Sequence, residues 1–343
     1  MSVQTPMPKI DPTYGSDQHG LVWGYRFAPN QPARPVTSEA VVEFLTTLDS
    51  GAQGEFFWLH FSLSNLASEA WLRNLNLPDA FYEALHSEVG STRLEQDANS
   101  LVAVIHDVLF ERTFDASAVA TSQLCIAPHL LVSARHRPLR SVDQLRAAVR
   151  AGEVFRSPVE LLAHLLRDQA GVLVTILRQS TLRVDQIEDR LLANRIAASR
   201  TELGSLRRVL VRLQRLLAPE PAAFFRLLNR PPDWITEEDL QDLQQAAEEF
   251  SAAVGDSVVL VERVKLIQEE LVALVNEQTN RTLFVLTVVT VLALPINLVA
   301  GLFGMNVSGI PLAEHGYGFF LIVGGLMVLT VLLAYLTLGR RRD

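Results

Sequence analysis

The stretch Thr282-Leu283-Phe284-Val285-Leu286-Thr287-Val288-Val289-Thr290-Val291-Leu292-Ala293-Leu294-Pro295-Ile296-Asn297-Leu298-Val299-Ala300-Gly301-Leu302-Phe303-Gly304-Met305-Asn306 decides the reading of this chain. It carries no charged side chain; the uncharged run continues to Ala313, and a second extends from Gly316 to Gly339. Each run is longer than the ~20 residues a helix needs to cross a bilayer. Two transmembrane helices are therefore predicted, 282–303 and 317–339, joined by a loop at 304–316. Arg281 precedes the first span, and Arg340, Arg341 and Arg342 follow the second in a basic tail at 340–343, while the loop offers Glu314 and His315. Basic flanks stay on the cytoplasmic side, so both termini are expected in the cytoplasm and the loop outside. Tyr317, Phe319 and Phe320 form an interfacial aromatic cluster where the second span begins.

A helix in hydrocarbon satisfies its own backbone, and polar side chains on it need protein or water to face. Thr287, Thr290 and Asn297 fall at steps of three and seven, hence on one face. Extending that face by alternating threes and fours gives Asn276, Asn280, Leu283, Thr287, Thr290, Leu294, Asn297, Gly301 and Gly304. The period, about 3.5, is that of helices coiling around a common axis. Two helices of one chain cannot enclose a channel, and the second span has no obvious partner for this face. Several copies of the first span around an axial pore would use it. Hydrogen-bonded packing between helices would also use it, and periodicity alone leaves both open.

Gly304-Met305-Asn306-Val307-Ser308-Gly309-Ile310-Pro311 ends the first span at the outer surface of a chain with two spans. In that placement the run resembles the CorA family of divalent-cation transporters, and more narrowly its zinc-transporting ZntB branch. The resemblance covers the chain from about Leu21 onward. It implies a homopentamer in the bacterial inner membrane, with the first spans lining a pore and zinc as cargo. The partners it implies are further copies of the chain, the lipid bilayer and divalent ions. Gly304, Met305 and Asn306 would form the pore entrance. There the Asn306 carboxamides would hydrogen-bond a hydrated ion without stripping its water, Gly304 would let the helix end tightly, and Met305 would pack to hold the asparagine. Without that context, Asn306 reads as a helix C-terminal cap.

One residue departs from the magnesium-type pattern. Ile310-Pro311-Leu312-Ala313 puts Leu312 where those family members carry a loop glutamate. The nearest carboxylate is Glu314, beside His315, and the two would attract cations at the mouth. Imidazole suits zinc better than magnesium, although a single loop histidine is equally compatible with plain solvation.

The whole chain has 343 residues and a formal charge of −8. Cys125, its single cysteine, excludes an intrachain disulfide framework and a cysteine-cluster metal site. Residues 1–20 read as a loose leader with no signal peptide. Residues 21–152 mix strands and helices into a cytoplasmic α/β domain. Its strand candidates are Leu21–Phe27, Phe56–Phe61, Leu101–Phe110 and a hairpin of Ser122–Ala127 with Leu130–Arg135. Helices are expected at Glu39–Leu48, Ala67–Asn74 and Pro78–Ser87, with Ser141-Val142-Asp143-Gln144 as a capping box opening another. His60, His106, His129 and His136 sit in or beside apolar strands and read as structural. No catalytic motif or phosphate loop is present, so an enzyme is not expected. Trp58-Leu59-His60 and Arg93-Leu94-Glu95 fall where the family has similar patches serving folding and subunit contact.

Residues 153–281 are helical. Ser157-Pro158-Val159-Glu160 opens a helix to about Ala198, and a second occupies Ser199–Leu217 and continues toward Leu228. The second carries Arg200, Arg207, Arg208, Arg212 and Arg215; in an acidic chain this reads as an ion-paired or solvated face, not a nucleic-acid site. From Asp233 to Glu262 there are acids and no base, and the arginine-rich helix is their expected partner. Thr236 and Asp239 cap a helix with no proline before Pro295, on the order of 100 Å long at about 1.5 Å per residue. The expected fold is thus an α+β membrane protein, with an N-terminal cytoplasmic α/β domain and a long-helix stalk continuous with the first of two C-terminal transmembrane helices.

Three functions remain open: a zinc transporter, most simply for uptake; a CorA-like channel for magnesium, cobalt or nickel; and a membrane-anchored scaffold without a pore. Efflux is the alternative direction for zinc. From Leu283 to Gly301 the stripe holds no titratable side chain, so a proton carrier would have to be Glu314, His315 or a cytoplasmic group.

Overall fold

The computed structural model describes residues 15–45, 54–86, 92–97, 99–109, 118–193, 199–305 and 316–339. The chain forms two compact units, Met1–Leu266 and Ile267–Asp343. The first is built on a seven-stranded sheet of β1 (Leu21–Ala28), β2 (Gln31–Val36), β3 (Phe56–Ser62), β4 (Arg93–Asp97), β5 (Ser100–Val108), β6 (Val119–Ala127) and β7 (Leu130–Arg135). Their order is β2-β1-β3-β7-β6-β5-β4. Only β3 and β7 pair in parallel; the other neighbours are antiparallel.

Central position explains composition. Every residue of β3, Phe-Phe-Trp-Leu-His-Phe-Ser, is buried, as a strand covered on both faces must be. The two strands missing from the sequence reading are the two edges. β2 contains two prolines and β4 is Arg-Leu-Glu-Gln-Asp. Proline is tolerated where no neighbour needs its N–H, and charge keeps an edge from pairing with another chain. Arg93 and Glu95, taken as a contact patch, form an ion pair on β4 at 2.5 Å.

The helices of this unit are α1 (Ser38–Leu45), α2 (Ala67–Leu72), α3 (Asp79–Leu85), α4 (Arg140–Ala151), α5 (Pro158–Leu192), α6 (Ser199–Leu217) and α7 (Pro219–Asn229). Two expectations about their ends are corrected. The Ser141 side chain does not cap α4 as a local box, because the helix already starts at Arg140. Asp107 of β5 does it instead, accepting from the Ser141 backbone N–H at 2.8 Å and from its hydroxyl at 2.8 Å. The second long helix continues past Leu228 as expected, but in two pieces: α6 stops at Leu217, and α7 starts at Pro219, whose missing N–H suits a first turn. Ser157 caps α5 as expected, accepting from the Glu160 N–H at 3.0 Å. That helix ends at Leu192 rather than near Ala198.

From Thr236 the chain enters α8 (Glu237–Phe303), one helix of 67 residues that passes through Pro295. Thr236 accepts from the Asp239 N–H at 3.2 Å and donates to its carboxylate at 2.9 Å. The acids at its start find a different partner from the one expected. Glu238, Asp239 and Asp242 pair with Arg156, just before α5, and Asp242 also with Arg167. Further along, Arg263 pairs with Asp185 at 2.7 Å and Glu188 at 2.5 Å on α5. The acids are thus joined to α5, not to the arginine-rich α6. The last helix is α9 (Gly318–Gly339).

Candidate functional site

Most buried polar side chains of the sheet domain are engaged within it, although His106 Nε2, Gln123 Oε1, Gln169 Oε1 and Glu220 Oε2 are buried with no hydrogen-bond partner among the described residues. His60 stacks on Trp23 at 4.0 Å, lies 2.7 Å from Ser133 Oγ through Nδ1, and accepts from Arg135 Nε at 2.6 Å. Burial, with Arg135 and Arg146 nearby, holds its pKa well below the usual histidine range. A neutral ring serving as an acceptor is what that environment favours. His106 is held by its backbone: its N–H donates to Glu220 Oε1 of α7 at 2.5 Å, and its carbonyl accepts from Gln169 Nε2 at 2.7 Å. β4 ends opposite Val104, so Glu220 supplies an acceptor where strand pairing has stopped. Its carboxyl is fully buried and its pKa is raised by that burial. Sequence reading missed both Asp107 and Glu220, because a carboxylate that closes a distant backbone has no local pattern.

Among the described residues, no group of three or more His, Cys, Asp or Glu is arranged to hold a metal ion. The organised polar feature that remains is on the apolar part of α8. Among the described residues, α8 and α9 are the two helices long and apolar enough to cross a membrane. Asn276, Asn280, Leu283, Thr287, Thr290, Leu294, Asn297, Gly301 and Gly304, which the sequence placed on one face, are all exposed. Most of the half-buried residues of this stretch lie on another, Phe284, Val288, Val291, Leu292, Pro295 and Val299, with Ala293 half-buried beside the stripe. At 100° per residue the two rows are well over a quarter-turn apart. On α9 the half-buried residues Ile322, Leu326, Thr330, Leu333 and Ala334 also share one face. Half-burial on α8 is thus concentrated away from the polar stripe, whose own nine residues are exposed.

The threonines of the stripe are tied to their own helix. Thr287 Oγ1 donates to the Leu283 carbonyl and Thr290 Oγ1 to the Leu286 carbonyl, each at 2.8 Å. Their hydroxyl protons are thereby used, and each oxygen is left turned outward as an acceptor. Leu283 and Leu294, 54% and 62% exposed, separate these polar levels. The helix then tightens: Gly304 N–H donates to the Ala300 carbonyl at 2.9 Å, and Met305 N–H to Leu302, three residues back, at 3.5 Å. A Cβ on Gly304 would lie 3.0 Å from the Ala300 oxygen, so a side chain there would strain this ending. Met305 is 52% exposed. Asn306, Glu314, His315 and the loop residue Leu312 lie outside the described residues.

The same spacing, counted back along α8, continues through Ala273, Glu269, Leu266, Glu262, Val259 and Gly255, and each of these is exposed. This extension beyond Asn276 is written in the same alternation of threes and fours, beneath a run of acids that masks it.

A sheet-and-helix domain followed by two helices long and apolar enough to cross a membrane is the architecture the described residues show. Residues 53–341 match the family model described as CorA-like Mg2+ transporter protein, and the chain belongs to that family. It is 27% identical over 320 residues to the divalent cation transporter CmaX of Pseudomonas aeruginosa, covering 90% of this chain and 93% of that relative. The zinc transport protein ZntB of Yersinia enterocolitica is 25% identical over 282 residues, 81% of this chain and 85% of that one. The solved structure of full-length CmaX superposes with a TM-score of 0.80 at 25% identity, covering 94% of this chain and 99% of the other.

Proposed function

We propose that the protein carries zinc inward across the bacterial inner membrane through an axial pathway lined by α8, one helix from each copy of a homopentamer. The observation that carries this reading is the uncovered stripe: nine residues at coiled-coil spacing, polar or small at seven positions, and exposed in the single chain. A lipid-facing surface has no use for Asn297 and Thr290. In this reading Gly304, Met305 and Asn306 form the entrance, Asn306 holding the hydrated ion, and Glu314 and His315 draw cations to it. Both termini are cytoplasmic. An inside-negative potential of 100 mV favours entry of a divalent ion by about 4.6 kcal/mol, twice the value for a single charge. Passive flow is therefore inward.

Zinc is preferred to magnesium on the ZntB likeness and on the loss of the loop glutamate at Leu312. The test is metal uptake into proteoliposomes under an imposed inside-negative potential, comparing zinc with magnesium and wild type with Asn306→Ala. Zinc flux that the substitution abolishes is the expected result. Magnesium flux without zinc would assign the chain to the magnesium branch, and flux of neither ion by a folded oligomer would leave an anchor without a pore.

A further inference from the structure

Charge on the surface of the first unit is sorted by helix. α6 exposes Arg200, Arg207, Arg208, Arg212 and Arg215, and its one acid, Glu202, is engaged by Arg190 at 2.8 Å. The leucines Leu203, Leu206, Leu210, Leu213 and Leu217 are buried, which turns the arginines to the opposite side. Arg208, Arg212 and Arg215 follow at steps of four and three and make one row. α8 from Glu237 to Glu262 has eight acids and no base. Those near its start are joined to Arg156 and Arg167. Glu249 and Asp256, seven apart and therefore on one side, are exposed and form no ion pair with a described residue. Arg208, Arg212 and Arg215 likewise form none.

We propose that the arginine row of α6 in one copy docks on Glu249 and Asp256 of α8 in the next copy, setting the head-to-tail register of the assembly. The inference rests on the reading that the protein works as several copies. Each chain carries both patches, and opposite charge at helical spacing is what each requires. Because the patches are different surfaces, the contact is heterologous, and a heterologous contact repeated by rotation closes a ring. A ring is also what an axial pathway with one stripe per copy needs. Exposed ion pairs contribute little one at a time, so the row fixes orientation and excludes mismatched neighbours more than it supplies affinity.

The full-length protein in detergent or nanodiscs tests this through Arg212→Cys combined with Glu249→Cys. The native Cys125 is 1% exposed, and burial pushes its thiol up to about 12, so it stays out of the reaction. Mild oxidation should give a ladder of covalent multimers from the double variant and none from either single variant. In parallel, Arg208→Glu with Arg212→Glu should make the oligomer dissociate at lower salt, and adding Glu249→Arg with Asp256→Arg in the same chain should restore it. An oligomer of wild-type size that gives no ladder and ignores both reversals would overturn the docking while leaving the multi-copy reading intact. A wild-type protein that is monomeric would overturn both. If the arginine reversal instead abolishes binding to phosphatidylglycerol vesicles and leaves the oligomer unchanged, the row faces lipid and the proposal is wrong.

Discussion

The sheet domain and the α8 stripe treat polar groups in opposite ways. In the domain, a buried acid such as Asp107 or Glu220 is placed where a backbone donor would otherwise lack a partner, and the chain closes on itself. On α8 the asparagines and threonines are left facing outward although the surrounding sequence is apolar. The first arrangement serves the chain's own backbone, even though Glu220 keeps one buried oxygen without a partner among the described residues. The second makes physical sense once other copies or a hydrated ion are present. A polar group that its own chain leaves unused in an apolar setting is thus a better guide to function here than a buried titratable group.

The largest effect should come from making the stripe behave like the rest of the helix. Thr290→Leu with Asn297→Leu removes two polar levels without touching the half-buried row of α8, and zinc flux into proteoliposomes should fall at least about tenfold, the factor given by about 1.4 kcal/mol of added barrier. The oligomer and its helix content should be unchanged. If flux survives, the stripe packs helices and the contrast with the domain disappears.

Next comes the domain's own closure. Glu220→Ala leaves the His106 N–H buried without an acceptor, a loss of about 1–3 kcal/mol, whereas Glu220→Gln keeps an oxygen there and should cost less. Chemical denaturation followed by the near-ultraviolet signal of the buried tryptophans would order the two variants. Equal stability of Ala and Gln would mean that the bond to β5 does not hold α7 in place.

Asp107 allows a pH test. Burial pushes its carboxyl from an ordinary value of 3.8 up to about 7, although Ser141 and Val108 donate to it. A raised acid pKa means the folded form holds the proton after the unfolded form has released it. The associated stability is fully present below pH 3.8 and is lost as pH rises through about 7. Thermal unfolding should therefore show this component weakening between pH 3.8 and about 7, and Asp107→Asn should flatten that slope while lowering stability, since the amide cannot accept at both positions. An unchanged slope would show that the group is already ionised at the helix start.

The smallest effect is expected at Arg156, whose partners Glu160, Glu238, Asp239 and Asp242 hold α5 to the start of α8. The site is partly open to water, so Arg156→Ala should cost on the order of 1 kcal/mol and less at high salt. A loss of several kcal/mol, insensitive to salt, would mean that this junction resembles the buried domain contacts more than a surface pair.

What could be read ahead of the structure followed from local physics. Uncharged length showed α8 and α9, alternating threes and fours showed the stripe, and Ser157 and Thr236 showed their helix starts because a cap is written within four residues. The edge strands β2 and β4 were hidden because prolines and charges, which argue against a strand in general, are what a sheet edge selects. The α4 cap from Asp107 and the pairing of α8 acids with Arg156 were hidden for a different reason: each joins residues far apart in sequence, and spacing carries no trace of it. The exchange of α6 for α5 as the acids' partner shows the limit of matching helices by net charge alone.

The measurement that tests the central claim most directly is cysteine accessibility along α8 during zinc flux, with a charged, membrane-impermeant thiol reagent and cysteines introduced one at a time. Reaction should block flux at Leu283, Thr287, Thr290, Leu294 and Asn297 and leave it intact at Phe284, Val288, Val291 and Val299. The reverse pattern, or block without regard to face, would contradict an ion path along the exposed stripe.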